Sequence, residues 1–573
     1  MSDTDFDAIV VGSGISGGWA AKELTERGLK VLVLERGSNI RHQKDYLGEH
    51  APAWKLPFYG LPDRERDQRD YAVQQKSYAF GEPTIQYWNN DRLNPYVRDD
   101  SKPFNWMRAD VVGGRSLLWG RQVYRWSEQD FGANAIDGHG TPWPVTYKDI
   151  APWYSHVEKF IGVSGEYEGW PQLPDSEFMP AMDYYAIEKT IKGRVQKKLP
   201  DIPMTIGRVA ILTQEHNGRA PCHYCGPCHR GCSTGSYFSS QSSTLPAATA
   251  TGNLTLLPDQ VVERLEHDET GSRITSVKTV NSQTGERREF TAKVFFLCAS
   301  TLGSTQIMLN SASEKHPKGL SNRSGALGHY LMDHLAVSHV GFFVDDVDSY
   351  YQGNRPNGMY VPRFRNLKDQ PDEDAAFLRG YGYQAMPMRT DWETTFNSKG
   401  FGADYKNSLR DPAPFWMWAL RAFIECLPSV DNRVFLHPEK KDRFGIPQVA
   451  AQFQWSGNEH EAVRDSALQA GRILRAAGAV GINVADGAKL DVGGDAIHEM
   501  GTARMGVDPT TSVLNADNRA HEIDNLYVTD GSFMASSSCV NPSLTYMAFT
   551  ARACDRAVSR LAERSGIPHT LLS

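Results

Sequence analysis

Residues 6–37 read FDAIVVGSGISGGWAAKELTERGLKVLVLERG, and the architecture of the chain can be built outward from them. AIVVG is a short apolar strand, and Gly12, Gly14 and Gly17 follow it as G-x-G-x-x-G. WAAKELTERG reads as an amphipathic helix that stops at Gly28, and KVLVLE is a second strand ending in Glu35, 18 residues after Gly17. Each part has a physical use. Gly12 permits a tight turn, Gly14 lets backbone approach a pyrophosphate, and Gly17 lets helix and strand close together. Ser16 stands in the first turn of the helix, whose N-terminus favours a phosphate. A carboxylate at Glu35 accepts hydrogen bonds from an adenosine ribose and disfavours a 2'-phosphate. The unit predicts a Rossmann-like βαβ start that binds a dinucleotide. Its place at the head of a long chain, with no second such fingerprint, points to a permanently held FAD.

The bulk numbers agree with an enzyme of this kind. A length of 573 residues supports two or more domains, and 40 % hydrophobic with 23 % charged residues is ordinary globular composition. A net charge of -7 without a basic run argues against a nucleic-acid partner. The N-terminus MSDTDFDAIVVGSG has no basic region before its first apolar segment, so the expectation is synthesis in the cytoplasm without a signal peptide. AKVFFLCASTLGSTQIML is broken by polar residues and reads as a strand running into a helix, not as a membrane span.

Four later segments add a resemblance. They are VVGGRSLLWGRQVYRW from Val111, WPVTYKDIAPWYSHVEKFIGVSG from Trp143, LGHYLMDH from Leu327 to His334, and HEMGTARMG from His498 followed by NLYVTDGSFMASSSCVNPSLTYMAFTARA. In that order they resemble the glucose–methanol–choline (GMC) oxidoreductases, flavoenzymes that oxidise alcohols and sugars. The resemblance covers nearly the whole chain and is weakest between about 335 and 490. It implies a mixed α/β fold: a Rossmann-like FAD domain from about 1–50, 105–140, 220–330 and 490–573, and an antiparallel-sheet substrate domain from 51–104, 141–219 and 331–489.

The resemblance also assigns residues. His498 and Asn541 stand where the family's two catalytic loops meet in front of the flavin. Oxidising a secondary alcohol removes a proton from oxygen and a hydride from carbon. The hydride goes to flavin N5, and a neutral imidazole suits the proton. The amide of Asn541 binds the alcohol oxygen without titrating, and the same residue can cap the helix that Pro542 opens. Gly113, Gly114 and Ser116 would run along the flavin and its pyrophosphate, Val261 would touch adenine, and Asp530 and Gly531 would meet the ribityl or pyrophosphate groups. The place of a flavin-tethering histidine is taken by Leu118, so FAD is expected to be non-covalent. FNWMR (from Phe104) and APFWMWALRAF (from Ala413) could line a sugar site, though core packing is the expectation for any one aromatic.

CHYCGPCHRGC, residues 222–232, holds four of the eight cysteines. Cys222, Cys225, Cys228 and Cys232 match the ferredoxin spacing C-x2-C-x2-C-x3-C, which lets one loop wrap an iron–sulfur cluster. Ser233 follows where ferredoxins carry proline, and no second run exists, so [4Fe–4S] and [3Fe–4S] both stay open. Zinc and unliganded or disulfide-paired thiols are the other readings. His223 and His229 are expected to be exposed loop histidines. Cys298, Cys426, Cys539 and Cys554 are expected to be buried thiols. Within the family the cysteine run looks most like that of bacterial glucoside 3-dehydrogenases. This implies oxidation of a glycoside at C3, a c-type cytochrome acceptor, and a small exported subunit that could carry the chain to the periplasm. The competing readings are an oxygen-using sugar oxidase with a structural metal, and a non-catalytic FAD-binding electron-transfer subunit.

Overall fold

The computed structural model describes residues 6–345, 357–389, 400–410 and 416–565. The opening unit folds as its sequence dictates: strand β1 (Phe6–Val11), helix α1 (Ile15–Glu26) and strand β2 (Val31–Leu34). They start a seven-stranded sheet. β2 lies between β1 and Leu254–Leu257, both parallel to it, and β1 pairs in parallel with the end of Arg287–Leu297. Leu526–Val528 closes the sheet on the far side of that long strand, again in parallel. The 253–297 region is therefore mixed. Gln260–His267, Ile274–Asn281 and the first half of Arg287–Leu297 form antiparallel pairs, while the strand's second half enters the parallel sheet.

Helix α1 departs from the amphipathic reading. Every residue from Ser16 to Thr25 is buried, because other helices cover the face turned away from the sheet. Lys22 and Glu23 are tolerated inside because Lys22 pairs with Glu23 and Glu26, and Glu23 also meets Arg27 and His156. A buried charge needs such partners. Here they hold the Glu23 carboxyl at about 2 against the upward push of burial.

A second, fully antiparallel sheet has six strands in the order Gly481–Asn483, Leu335–Phe343, Trp416–Ile424, Tyr381–Arg389, Met359–Val361 and Thr205–Ile206. Alternation along the strands separates its faces. Trp416, Trp418, Leu420, Tyr381 and Tyr383 point into a core shared with helices Ala186–Lys198 and Gly457–Ala477. Each such side chain contributes about 1.5–3 kcal/mol on burial. The intervening positions Gln384, Met386, Met388, Met417 and Arg421 are only partly covered. Of the aromatic stretches weighed as sugar-site lining, Phe104, Trp106, Trp416 and Trp418 are core, and Ala413–Phe415 lies outside the described residues. Cys298, Cys426, Cys539 and Cys554 are free and buried. Among the described residues no helix is long and apolar enough to cross a membrane.

Candidate active site

Three distant loops are stitched together by backbone hydrogen bonds. The amides of Met500 and Met332 each donate to the other's carbonyl at 2.9 Å. The amides of Gly501, Ala503 and Met505 donate to the carbonyls of Gly531, Ser532 and Phe533 at 2.9, 2.8 and 2.9 Å. His498 thus stands between the Leu327–His334 segment and the turn ending at Asn541. The loop is strained where it carries function: Ile497 has φ +62° and Thr502 φ +78°, values that branched side chains avoid.

Four side chains form one line through the site. His334 Nε2 lies 3.1 and 2.9 Å from the carbonyl oxygens of Ser537 and Ser538. His334 Nδ1 lies 2.8 Å from His498 Nδ1. His498 Nε2 faces Asn541 Nδ2 at 3.3 Å, and Asn541 Oδ1 accepts from Gln384 Nε2 at 2.6 Å. Phe423 packs against His498 with ring centroids 5.6 Å apart. The backbone is held from behind by buried Asp333, which accepts from the amides of Gly494, Ala496 and His498. Burial, with Glu499 nearby, pushes the Asp333 carboxyl up to about 7. Glu499 forms a two-point ion pair with Arg115 of the Gly113–Ser116 loop, fixing that loop against the His498 loop.

The electrostatics keep His498 neutral. Burial first, then His334, Arg115 and Arg421, push its pKa well below the ordinary imidazole value of 6.5. Burial likewise lowers His334 to about 4, with the Ser537 and Ser538 carbonyls opposing. Arg421, paired across the sheet with Gln384, has a buried Nε without a hydrogen-bond partner among the described residues. An accepting imidazole nitrogen beside an amide donor can take the proton of an alcohol and hold its oxygen.

The dinucleotide elements also converge. No side chain caps the N-terminus of α1, so its first amides are free for a phosphate. A Cβ on Gly114 would come within 3.5 Å of Gly14 Cα, which puts the two glycine loops face to face. Ser116 Oγ donates to the Gly113 carbonyl and accepts from the Ser240 amide, and Ser16 is buried at the start of α1. Glu35 accepts from the Ser13 amide and hydroxyl and from the Gly37 amide. Just beyond it a polar cleft is lined by Arg36, Gly37, Ser38, Asp110 and Val261. These residues fit FAD: the cleft would take its adenosine end and the glycine loops its pyrophosphate. Asp530 stands at the turn before Gly531. Its carboxylate is engaged inside the protein by the hydroxyls of Ser304 and Ser532 and by the Ser532 amide, so it shapes the turn before Gly531. Pro542 is buried and precedes the helix, which starts at Ser543.

The four clustered cysteines are free thiols that line one small cavity. Burial pushes Cys228 up to about 12, with Cys222 adding to the rise and Arg121 opposing it. Among the described residues no group of three or more His, Cys, Asp or Glu side chains is gathered closely enough to hold a metal ion. The loop is braced by residues 43–51: Tyr46 packs on Gly231, Arg230 donates to the Ala51 carbonyl, and Glu49 accepts from Ser233. His223 is exposed as expected, but His229 is not a loose loop histidine. Its Nδ1 is buried without a partner among the described residues, and burial holds its pKa down at about 4.

The structure brings the expected His498 and Asn541 together and sets beside them Asp333, His334, Gln384 and Arg421, which the sequence did not single out. The Asp333-His334 pair was visible at the end of LGHYLMDH; nothing local marks Gln384 or Arg421.

A dinucleotide-binding sheet joined to an antiparallel sheet, with a His/Asn pair at their junction, defines a flavin-dependent oxidoreductase. Family profiles described as GMC oxidoreductase match residues 206–336 and 428–550, and an NAD(P)-binding Rossmann-like profile matches residues 10–43. The chain belongs to the GMC oxidoreductase family. It is 26 % identical to a 2-methyl-1,2-propanediol dehydrogenase of Mycolicibacterium austroafricanum, over 97 % of this chain and 96 % of that one. It is 26 % identical to the fructose dehydrogenase large subunit of Gluconobacter japonicus (97 % and 98 %) and 27 % identical to a 6'''-hydroxyparomomycin C oxidase of Streptomyces lividus (98 % and 93 %). The fold matches formate oxidase of Aspergillus oryzae with a TM-score of 0.63 at 15 % identity, covering 98 % of this chain and 100 % of that one.

Proposed function

We propose that the chain oxidises a secondary alcohol of a sugar, C3 of a glycoside's glucose ring, with His498 as the base and Asn541 as the anchor for the hydroxyl. The observation that carries this reading is the His498 Nε2–Asn541 Nδ2 pair, 3.3 Å apart. An alcohol between them donates its O–H to Nε2 and accepts from Nδ2, replacing a long contact with two normal ones. Gln384 keeps the Asn541 amide turned so that its donor faces the substrate. When bound, non-covalent FAD supplies the acceptor for the hydrogen and electron pair of the C–H bond. Relatives named as acting on fructose and on aminoglycosides support a sugar-like substrate. Incubating the FAD-loaded protein anaerobically with a panel of glucosides, with NMR of the products, is expected to give flavin bleaching and a 3-keto glycoside. Bleaching by simple diols but by no glycoside would overturn the substrate class.

Because His498 is held neutral, the acid limb of kcat/KM should lie below the usual imidazole range. A base is active above its pKa and lost as pH falls through it, so a depressed pKa preserves the rate into acid. An ordinary imidazole would lose about three-quarters of its neutral form at pH ~6. The expected profile stays nearly flat from neutrality to that point, and a drop of about threefold there would contradict it.

The four thiols are proposed to hold an iron–sulfur cluster that passes electrons to a c-type cytochrome, in a complex whose small exported subunit brings the chain to the periplasm. The support is the ferredoxin spacing and the four free thiols around one cavity. Thiolate sulfurs around a cluster stand farther apart than around a single ion, so the loop need not resemble a mononuclear site. After anaerobic purification, iron and acid-labile sulfide should be present and should be lost in Cys225→Ser/Cys228→Ser with flavin content unchanged. Iron-free wild-type protein would refute the cluster. The oxidase reading, which the relatives named oxidases favour, predicts stoichiometric peroxide when substrate is added in air.

A further inference from the structure

We propose that His334 is a positioning residue that fixes which nitrogen of His498 carries the proton. The inference deepens the proposed function and rests on His498 acting as the base. The argument is one of donors and acceptors. His334 Nε2 lies within hydrogen-bond distance of two backbone carbonyl oxygens, those of Ser537 and Ser538. Carbonyl oxygens only accept, so this nitrogen must carry the hydrogen. A neutral imidazole has one N–H, which leaves Nδ1 of His334 as a lone pair. That lone pair is 2.8 Å from His498 Nδ1, so His498 must donate there. His498 Nε2 is then the unprotonated nitrogen, and it is the one that faces Asn541. The chain closes at its far end: Asn541 Oδ1 accepts from Gln384, so the Asn541 nitrogen is the atom turned towards His498. Each polar atom in this line has one consistent role.

The arrangement performs the task of an orienting carboxylate beside a catalytic histidine, but with a neutral group. Taking the alcohol proton breaks the O–H bond and forms an N–H bond at His498 Nε2, leaving an imidazolium. Its Nδ1–H then points at the His334 lone pair, and the two carbonyls that accept from His334 Nε2 polarise that ring so that the lone pair stabilises the imidazolium. The charged and titratable groups around the pair come from several elements. Asp333 holds the backbone amide of His498, Arg115 is paired with Glu499, and Arg421 lies on the facing sheet. Among the described residues none of these groups hydrogen-bonds either nitrogen of the His498 ring, whose partners are His334 and Asn541, so the tautomer is set by those two.

The test uses FAD-loaded holoenzyme with 15N-labelled histidine, the His498 ring signals being assigned by their absence in His498→Ala. Wild-type protein is expected to show His498 as the Nδ1–H tautomer at neutral pH; the Nε2–H tautomer would overturn the inference without any other variant. His334→Leu removes the acceptor and should shift His498 towards the Nε2–H form. It should also slow substrate-driven flavin reduction ~10–100-fold, short of the ~10⁴-fold loss known for a base locked in the wrong tautomer. His334→Asn offers Oδ1 where Nδ1 stood, and should recover the Nδ1–H signal and most of the rate. A purely packing role predicts instead that His334→Leu and His334→Asn are equally slow with the His498 tautomer unchanged, and that result would refute the proposal. Failure of the underlying reading is separate, since it shows as full turnover in His498→Ala.

Discussion

Replacing His498 by alanine is expected to lower substrate turnover by at least ~10²-fold, the usual worth of a general base, with FAD still bound. The protein around the residue makes the loss specific. The His498 loop is held through its backbone, by the three amides that Asp333 accepts and by the Met332–Met500 exchange, and those bonds survive truncation of the ring. The Arg115–Glu499 pair keeps the Gly113–Ser116 loop in place as well. Flavin reduction by stopped flow under anaerobic conditions, with the flavin-to-protein absorbance ratio, separates the two effects. Wild-type rates in the alanine variant would end the assignment of the base. Exogenous imidazole should restore part of the rate, because it supplies the missing acceptor in the vacated space.

The second large effect is expected at Gly17. A Cβ there would stand 1.9 Å from the Gly12 carbonyl oxygen and 2.7 Å from its carbon, and neither backbone atom can give way. Gly12 itself has φ +95°, and a Cβ on it would come within 2.4 Å of the Cys298 oxygen, so the loop has no slack to redistribute. Gly17→Ala should therefore destabilise the flavin-free protein by about 1–3 kcal/mol or more and leave purified protein largely without FAD. Gly14→Ala makes the contrast. Its Cβ would meet nothing in the protein within 4 Å, so the flavin-free chain should unfold at an unchanged Tm while FAD affinity falls, because that Cβ would enter the space expected to take the pyrophosphate. Thermal unfolding of deflavinated protein, together with flavin content as purified, reads both. Equal Tm in the Gly17→Ala and Gly14→Ala variants would contradict this account of the loop.

What could be read from the sequence was whatever short-range geometry constrains. Gly12, Gly14, Gly17 and Glu35 announce themselves because one tight turn and one helix start demand them within a single βαβ unit. His498 and Asn541 were legible through motifs that keep their local spacing. Gln384 and Arg421 were not, because they reach the site only through strand register, Gln384 opposite Arg421 across two strands of the second sheet. A polar residue at an alternating position looks the same whether it faces solvent or substrate. The burial of Lys22, Glu23 and His229 was hidden for a related reason. It depends on which distant segments lie over them, helices over α1 in one case and a folded loop in the other, and no local pattern encodes a neighbour hundreds of residues away.

The parallel pairing of β1 with residues 292–297, and of 295–297 with Leu526–Val528, bears on how the polypeptide is made. A ribosome that has delivered 500 residues has released the glycine-rich turn, but not the strand that covers the open edge of its sheet, nor the loop that carries Asn541. Until residues 526–528 are made, an apolar β-edge stays uncovered. Chaperone occupancy should thus rise along the message and fall only once the codons for residues 526–565 have been read. A premature stop there would yield aggregates rather than a partially active fragment.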